Sequence, residues 1–159
     1  MVFSNDKRLI DSIRDYREFD AREDGRARFN FQMTDIQAAI GIIQLAKLPS
    51  FLQKRQEIFN VYTEHGLQLI RETDSNQLPS RYRAVIRNAS PEVLQKKLFQ
   101  KGISTIIPYS YDELLSKSIN EINSINLSKS TLSIPIYPSL TLRETKRIAQ
   151  TVELAIESL

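Results

Sequence analysis

From Ile36 to Ala46 the chain reads as a helix with apolar residues on almost every side. Ile36, Ala39, Ile40, Ile43 and Ala46 form one stripe, and Ala38, Ile42 and Leu45 widen it. A helix this uniformly apolar is expected to be buried on most sides, between domains or at a subunit boundary, so it requires a large partner surface. Gly41 allows close backbone approach there, at a cost of about 1 kcal/mol in helix propensity. The start is marked by Thr34-Asp35-Ile36-Gln37, a reciprocal capping box, and the element is predicted to run through Lys47.

Composition narrows the chemistry. The chain has 159 residues, 41% hydrophobic and 26% charged, a balance that fits one globular domain. It lacks cysteine, which excludes disulfide frameworks, thiolate nucleophiles and cysteine-based metal sites, and its single histidine, His65, excludes a histidine-rich metal centre. The 22 Lys and Arg against 19 Asp and Glu leave a net charge of +3. Cations alternate with carboxylates, as in Asp6, Lys7, Arg8, Asp11, Arg14, Asp15 and Arg17, instead of forming the basic stripe a duplex binder presents to phosphates. No apolar run approaches the ~20 residues of a membrane helix, and MVFSNDKRL has no apolar signal segment. The expectation is a cytoplasmic chain with neither a membrane nor a nucleic-acid partner.

Met1 to Ser4 reads as a very short strand that needs neighbours, followed by a helix from about Asp6 to Phe19 with Leu9, Ile10, Ile13 and Tyr16 on one stripe. Asp20 to Arg28, with Gly25, reads as a charged surface loop. Pro49 suits the first turn of a new helix that reaches about Arg71. In Arg81 to Arg87, Tyr82, Ala84 and Ile86 alternate with Arg81, Arg83 and Arg87, the pattern of a strand with one covered face, which Val85 interrupts on the outward side. Ser90-Pro91-Glu92 opens a helix that Lys101-Gly102 closes, and Ile103 to Ile107 follows as a strand. This strand–helix–strand unit predicts a two-layer α/β arrangement. Residues 112 to 130 read as a short helix around Leu114 and then Ser- and Asn-rich turns. Leu132, Ile134 and Ile136 alternate as a strand, which Pro135 and Pro138 assign to an edge or a bend. Thr141 to Glu144 repeats the capping box before a terminal helix lined by Ile148, Val152, Ala155 and Leu159.

Catalytic signatures are sparse. His65 falls on a predicted helix with no framed serine, and the four glycines are scattered, so neither a serine triad nor a phosphate loop is legible. The most unusual stretch is Arg28-Phe29-Asn30-Phe31-Gln32-Met33-Thr34-Asp35. Phe31 or Met33 packing on the first helical turn is one account of it; Asn30 beside a ligand oxygen, where its amide donates without adding charge, is the other.

Three segments in order carry a resemblance: FNFQMTDIQAAIGIIQLAKLPSFLQKRQEIFNVY, GISTIIPY, and LSIPIYPSLTLRETKRIAQTVE. Together they resemble the DegT/DnrJ/EryC1/StrS family of sugar aminotransferases, over essentially the whole chain. The resemblance implies a fold-type-I enzyme that uses pyridoxal phosphate (PLP), is usually a homodimer with shared active sites, and transfers an amino group from a donor such as glutamate to a nucleotide-linked keto sugar. It implies that this chain corresponds to the later part of such an enzyme. Residues 1–48 then represent the end of the large domain and interface helices that join or cover it, and residues 49–159 a long linking helix and the C-terminal two-layer small α/β domain. The family's Schiff-base lysine precedes a Gly-Gly pair, and MVFSND resembles the stretch just after that pair.

By the same resemblance, Asn30 matches an asparagine that reaches the neighbouring subunit's PLP phosphate. Gln32 stands where the family commonly has arginine near substrate, and Arg28 where it commonly has glycine. Tyr109 and Tyr111 follow the GISTIIP strand toward a substrate region, with ordinary packing as the alternative role. The expected function is that of a partial homologue of a sugar-nucleotide aminotransferase, inactive when isolated and binding no PLP covalently. A noncatalytic structural or regulatory interaction module is the alternative. A DNA-binding regulator with helix-turn-helix around Thr34 and Pro49 is disfavoured, because its second helix lacks a basic recognition edge.

Overall fold

The computed structural model describes residues 2–72, 79–116 and 121–159. Its elements are α1 (Lys7–Arg17), α2 (Asp35–Glu64), β1 (Ala84–Arg87), α3 (Pro91–Gln100), a 3-10 turn at Tyr111–Glu113, α4 (Ile122–Lys129), β2 (Thr131–Ile134) and α5 (Leu142–Glu157). The chain divides into two compact units, Met1–Lys47 and Leu48–Leu159, with the division inside α2.

In the second unit β1 and β2 pair antiparallel, with Ala84 opposite Ile134 and Ile86 opposite Leu132. Antiparallel bridges flank the pair, Leu69 to Ile86 on one side and Ile106 to Ser133 on the other. β2 is therefore interior, not the expected edge or bend. Pro135 lies one residue past the ladder, so its missing N–H removes no bond from β2, and all four strand residues are buried. The strand expected over Ile103 to Ile107 contracts to the bridge at Ile106, whose N–H and C=O are both bonded to Ser133. The two ends of the strand–helix–strand unit are thus not adjacent, since β2 lies between them.

α3 packs on β2 and α5. Leu94 and Leu98 of α3 join Ile148, Ala149 and Val152 of α5, Ile86, Leu132 and Ile134 of the sheet, and Ile58, Phe59 and Tyr62 of α2 in one buried cluster. The second capping box is present: Glu144 N donates to Thr141 Oγ1 at 3.2 Å, and Thr141 N donates to Glu144 Oε2 at 2.8 Å. At the start of α2, Thr34 and Gln37 exchange the same two bonds, at 2.9 and 3.3 Å.

Three further expectations change. Pro49 lies inside α2 instead of opening a second helix, which removes the turn that a helix-turn-helix reading requires. The Ser- and Asn-rich chain before β2 forms α4, because its hydroxyls fold back on carbonyls of the preceding turn: Ser128 Oγ donates to Ile125 O at 2.8 Å and Ser130 Oγ to Asn126 O at 2.6 Å. Residues 2–4 form no strand, and Asp6 caps α1 by accepting from Arg8 N.

In the first unit, α1 buries no residue. The apolar first half of α2 is also uncovered, with Ile36, Ile42 and Leu45 at 75, 71 and 66% exposed. The burial expected from its composition is not supplied by the described residues.

Candidate functional site

The sequence-predicted site residues fall in both units, two in each. In the first, Arg28 organises the chain that leads to Asn30. Its guanidinium is enclosed, at 4% exposure, by two carboxylates. Nη2 lies 3.1 Å from both oxygens of Asp15 and 2.7 Å from Asp24 Oδ2, while Nη1 donates to Asp24 Oδ1. Bidentate geometry of this kind is the strongest that an arginine makes with carboxylates. The Arg28 hydrogen bonds, then the Arg26 backbone N–H, hold the Asp24 carboxyl well below its ordinary range. Asp24, then Asp15, raise the guanidinium above its own. Arg28 also needs no glycine-like backbone, since only Ala21 and Arg81 among the described non-glycine residues have positive φ.

Beyond Arg28, Phe29 N donates to Tyr16 O at 3.0 Å, and Phe31 N is shared between Arg17 O at 3.4 Å and Phe29 O at 3.0 Å. The bond from Phe31 N to Phe29 O closes a γ-turn centred on Asn30. Phe29 and Phe31 stack with centroids 5.3 Å apart, and Tyr16 tilts against both. This cluster is the packing role foreseen for Phe31, with α1 as the partner in place of the first turn of α2. Asn30 is left exposed at the apex, its amide without a hydrogen-bond partner among the described residues, and Gln32 is likewise exposed.

We expect Arg28→Ala to bring the Asp24 titration midpoint back up toward the ordinary carboxylate value, stopping short of it because the Arg26 N–H remains. The sign follows from a folded value below the unfolded one. This pair's stabilisation is present above the ordinary carboxylate pKa and lost as pH falls through the lower folded value. Carboxyl NMR titration of both proteins measures it, and an unchanged Asp24 midpoint in the variant would contradict the assignment.

In the second unit, Tyr109 is 67% exposed, and Tyr111 opens the 3-10 turn. Glu113 Oε2 accepts from Ser110 N at 2.7 Å, and that bond lowers the Glu113 pKa. Tyr111 borders a cleft of about 490 Å³ between the start of α3 and the chain at 107–111, with Glu92, Ile107, Ser110 and Lys129 in its wall. Lys129 Nζ stands 5.0 Å from the Tyr111 ring centroid. Tyr109 is not part of that wall. Lys129 was missed from sequence because its segment reads as turns; only α4 aims it back at Tyr111.

A PLP site needs a lysine amine, a partner for the ring nitrogen and grouped phosphate donors. Four of the described lysines are engaged otherwise: Lys7 with Asp11, Lys54 with Glu57, Lys97 with the Ser158 carbonyl, and Lys129 over Tyr111. Asn30 supplies one uncharged amide. These residues do not fit a complete PLP site by themselves. Among the described residues, no group of three or more His, Asp or Glu is placed to hold a metal ion, and no helix is long and apolar enough to cross a membrane.

The DegT/DnrJ/EryC1/StrS aminotransferase family matches residues 1–153. A UDP-4-amino-4,6-dideoxy-N-acetyl-beta-L-altrosamine transaminase of Campylobacter jejuni is 28% identical over 181 aligned positions, covering 98% of this chain and 47% of that protein. The chain therefore spans about half the length of this curated relative. Among solved structures, Helicobacter pylori PseC, an aminotransferase involved in the biosynthesis of pseudoaminic acid, superposes with a TM-score of 0.83 at 21% identity, covering 98% of this chain and 48% of that one. A protein described as a sugar aminotransferase from Streptococcus pneumoniae, in its PLP form, superposes with a TM-score of 0.75 at 22% identity, covering 86% and 39%. With the family match running almost end to end through both units, this chain belongs to the DegT/DnrJ/EryC1/StrS aminotransferase family.

Proposed function

We propose that residues 1–159 are the interface-helix and small-domain part of a PLP-dependent aminotransferase that transfers an amino group to a nucleotide-linked keto sugar. The observation that carries this reading is the ordered family match over residues 1–153, set against a relative of which the chain spans 47%. Residues 1–48 contribute the end of the large domain and its interface helices, and residues 49–159 the linking helix and small α/β domain. The Schiff-base lysine comes from polypeptide outside residues 1–159, so this chain alone is catalytically silent.

Asn30 takes the role of a donor to the phosphate of a neighbouring subunit's PLP. Its exposed position at a braced γ-turn, with the amide unengaged, supports that role. Gln32, Tyr109 and Tyr111 are the substrate-side residues. Glutamine in place of a guanidinium fork makes any grip on an anionic substrate group at position 32 weaker and uncharged. The open apolar face of α2 supports burial against a large domain or a second copy in a homodimer.

The test is to incubate the chain with PLP, glutamate and a nucleotide-linked keto sugar, trap any lysine-bound cofactor with borohydride, and assay for amino sugar. No trapped PLP and no product are expected from the chain alone, with product appearing when a lysine-bearing large-domain polypeptide is added. PLP trapped on a lysine of this chain together with amino-sugar formation would sink the proposal. Failure of the large domain to restore product would favour the noncatalytic interaction module.

A further inference from the structure

α5 carries its charges against its own dipole. Arg143, Lys146 and Arg147 stand in its first two turns, at the positive end, and Glu153 and Glu157 toward its other end, the negative one. Arg143 and Arg147 are like charges four residues apart, as are Glu153 and Glu157, and such pairs repel along one helix face. All five side chains are exposed, while Thr145, Ile148, Ala149, Val152 and Ala155 face the core. None of the five forms an ion pair among the described residues. Glu144, the acid of the first turn, is turned aside into the capping box, where the Thr141 hydrogen bonds lower its pKa first and the Arg147 charge last. Neither the helix nor the core behind it gains from this order of charges.

We propose that the outer face of α5 pairs antiparallel with the same face of a second copy of this chain, about a two-fold axis at Gln150. Gln150 is exposed at the middle of the stripe. Arg143 lies seven residues before it and Glu157 seven after. At about 100° per residue both fall near the centre line, so the axis brings each arginine opposite the glutamate of the other copy. Lys146 and Glu153 are themselves seven residues apart and share one flank of the stripe. An antiparallel two-fold sets each flank against its own equivalent, which places Lys146 against Glu153 of the second copy. Arg147 and Leu154 share the other flank, where the arginine stem covers a leucine that is 65% exposed. These pairs relieve both like-charge repulsions, and antiparallel alignment opposes the two helix dipoles. Parallel alignment would set Arg143 against Arg143, so the charges select one orientation. A single helix face of this polarity gives a weak, salt-sensitive contact instead of an obligate one. The inference is independent of the transamination reading, because it uses neither the first unit nor PLP.

The chain has no cysteine, so Gln150→Cys, on the axis, reports the contact directly through disulfide formation with oxidised glutathione. At low salt this variant of the 159-residue chain is expected to form the linked dimer at least about fivefold faster than Lys96→Cys, an exposed control on α3. The advantage is expected to vanish in about 1 M NaCl, where the Debye length is about 3 Å. Adding Arg143→Glu with Lys146→Glu, or Glu153→Lys with Glu157→Arg, is expected to reduce cross-linking to the control rate. Both sets place charges as the α5 dipole favours, so the fold is kept. An equimolar mixture of the two charge variants is expected to regain the fast rate, as a mixed dimer identified by its mass. Cross-linking of Gln150→Cys no faster than the control overturns the proposal. A fast rate that persists in 1 M salt or in either charge variant alone also overturns it, in favour of association through an apolar surface. A mixture that stays slow overturns it in favour of a different charged partner.

Discussion

Tyr62→Ala is expected to lower the unfolding free energy of the second unit by about 3–5 kcal/mol, the range for truncating a large buried aromatic. Tyr62 is 0% exposed at the centre of the core, between α2 and the chain after β2. Its hydroxyl donates to Pro135 O at 2.6 Å. Tyr62→Phe, which keeps the ring, is expected to cost only about 1 kcal/mol, the usual net contribution of one hydrogen bond, since the acceptor residue Pro135 is only half-buried. The comparison also carries a pH signature. Burial, and then the nearby Tyr137, push the Tyr62 phenol above its ordinary value. In the unfolded chain the phenol ionises near its usual pKa of ~10, whereas in the folded chain it stays protonated, so the unfolded state binds fewer protons as pH rises. The stabilisation is whole below the unfolded pKa and disappears as pH climbs through the raised folded value. Urea unfolding at neutral pH and above the ordinary tyrosine pKa should show the wild type losing more stability than Tyr62→Phe. Parallel pH slopes for the two proteins would refute it.

Pro49→Ala is expected to act in the opposite direction, stabilising the middle of α2. Pro49 is exposed, fifteenth in a helix of 30 residues. It has no N–H for the Leu45 carbonyl, and its ring crowds that turn, a penalty of about 3 kcal/mol relative to alanine in a helix interior. Proline also restricts the unfolded chain by about 0.4–1 kcal/mol, which offsets part of the gain. A net of about 2 kcal/mol corresponds to exchange of amides around residues 46–53 slowing by roughly thirtyfold. Hydrogen exchange is the right measurement because the division between the units falls at Lys47–Leu48, where the effect is local. Unchanged exchange at these amides would mean that the helix had already relaxed around the proline.

The capping boxes at Thr34 and Thr141, the stripe of Ile148, Val152 and Ala155, and the inward alternation of Ala84 and Ile86 were legible because each depends on neighbours within four residues. Punctuation was less reliable. Pro49 reads as a helix start, yet a helix flanked by strong apolar turns absorbs a proline when both sides already favour the same axis. The serines before β2 read as turns, although their hydroxyls also bond carbonyls one turn back. At the candidate site, Asn30 and Gln32 were visible as unusual polar residues between aromatics. The brace that presents Asn30 was not, because Asp15 and Arg28 are 13 residues apart and meet only when α1 and the following loop have folded.

The sequence by itself determined the family, the amphipathic elements of the small α/β unit, and the uniformly apolar first half of α2, since these follow from residue order and local periodicity. Tertiary structure alone decided that β2 is interior and that Lys129 meets Tyr111. Each of these is a relation between distant segments, and pairing, packing and desolvation across such distances arise only once the chain has closed on itself.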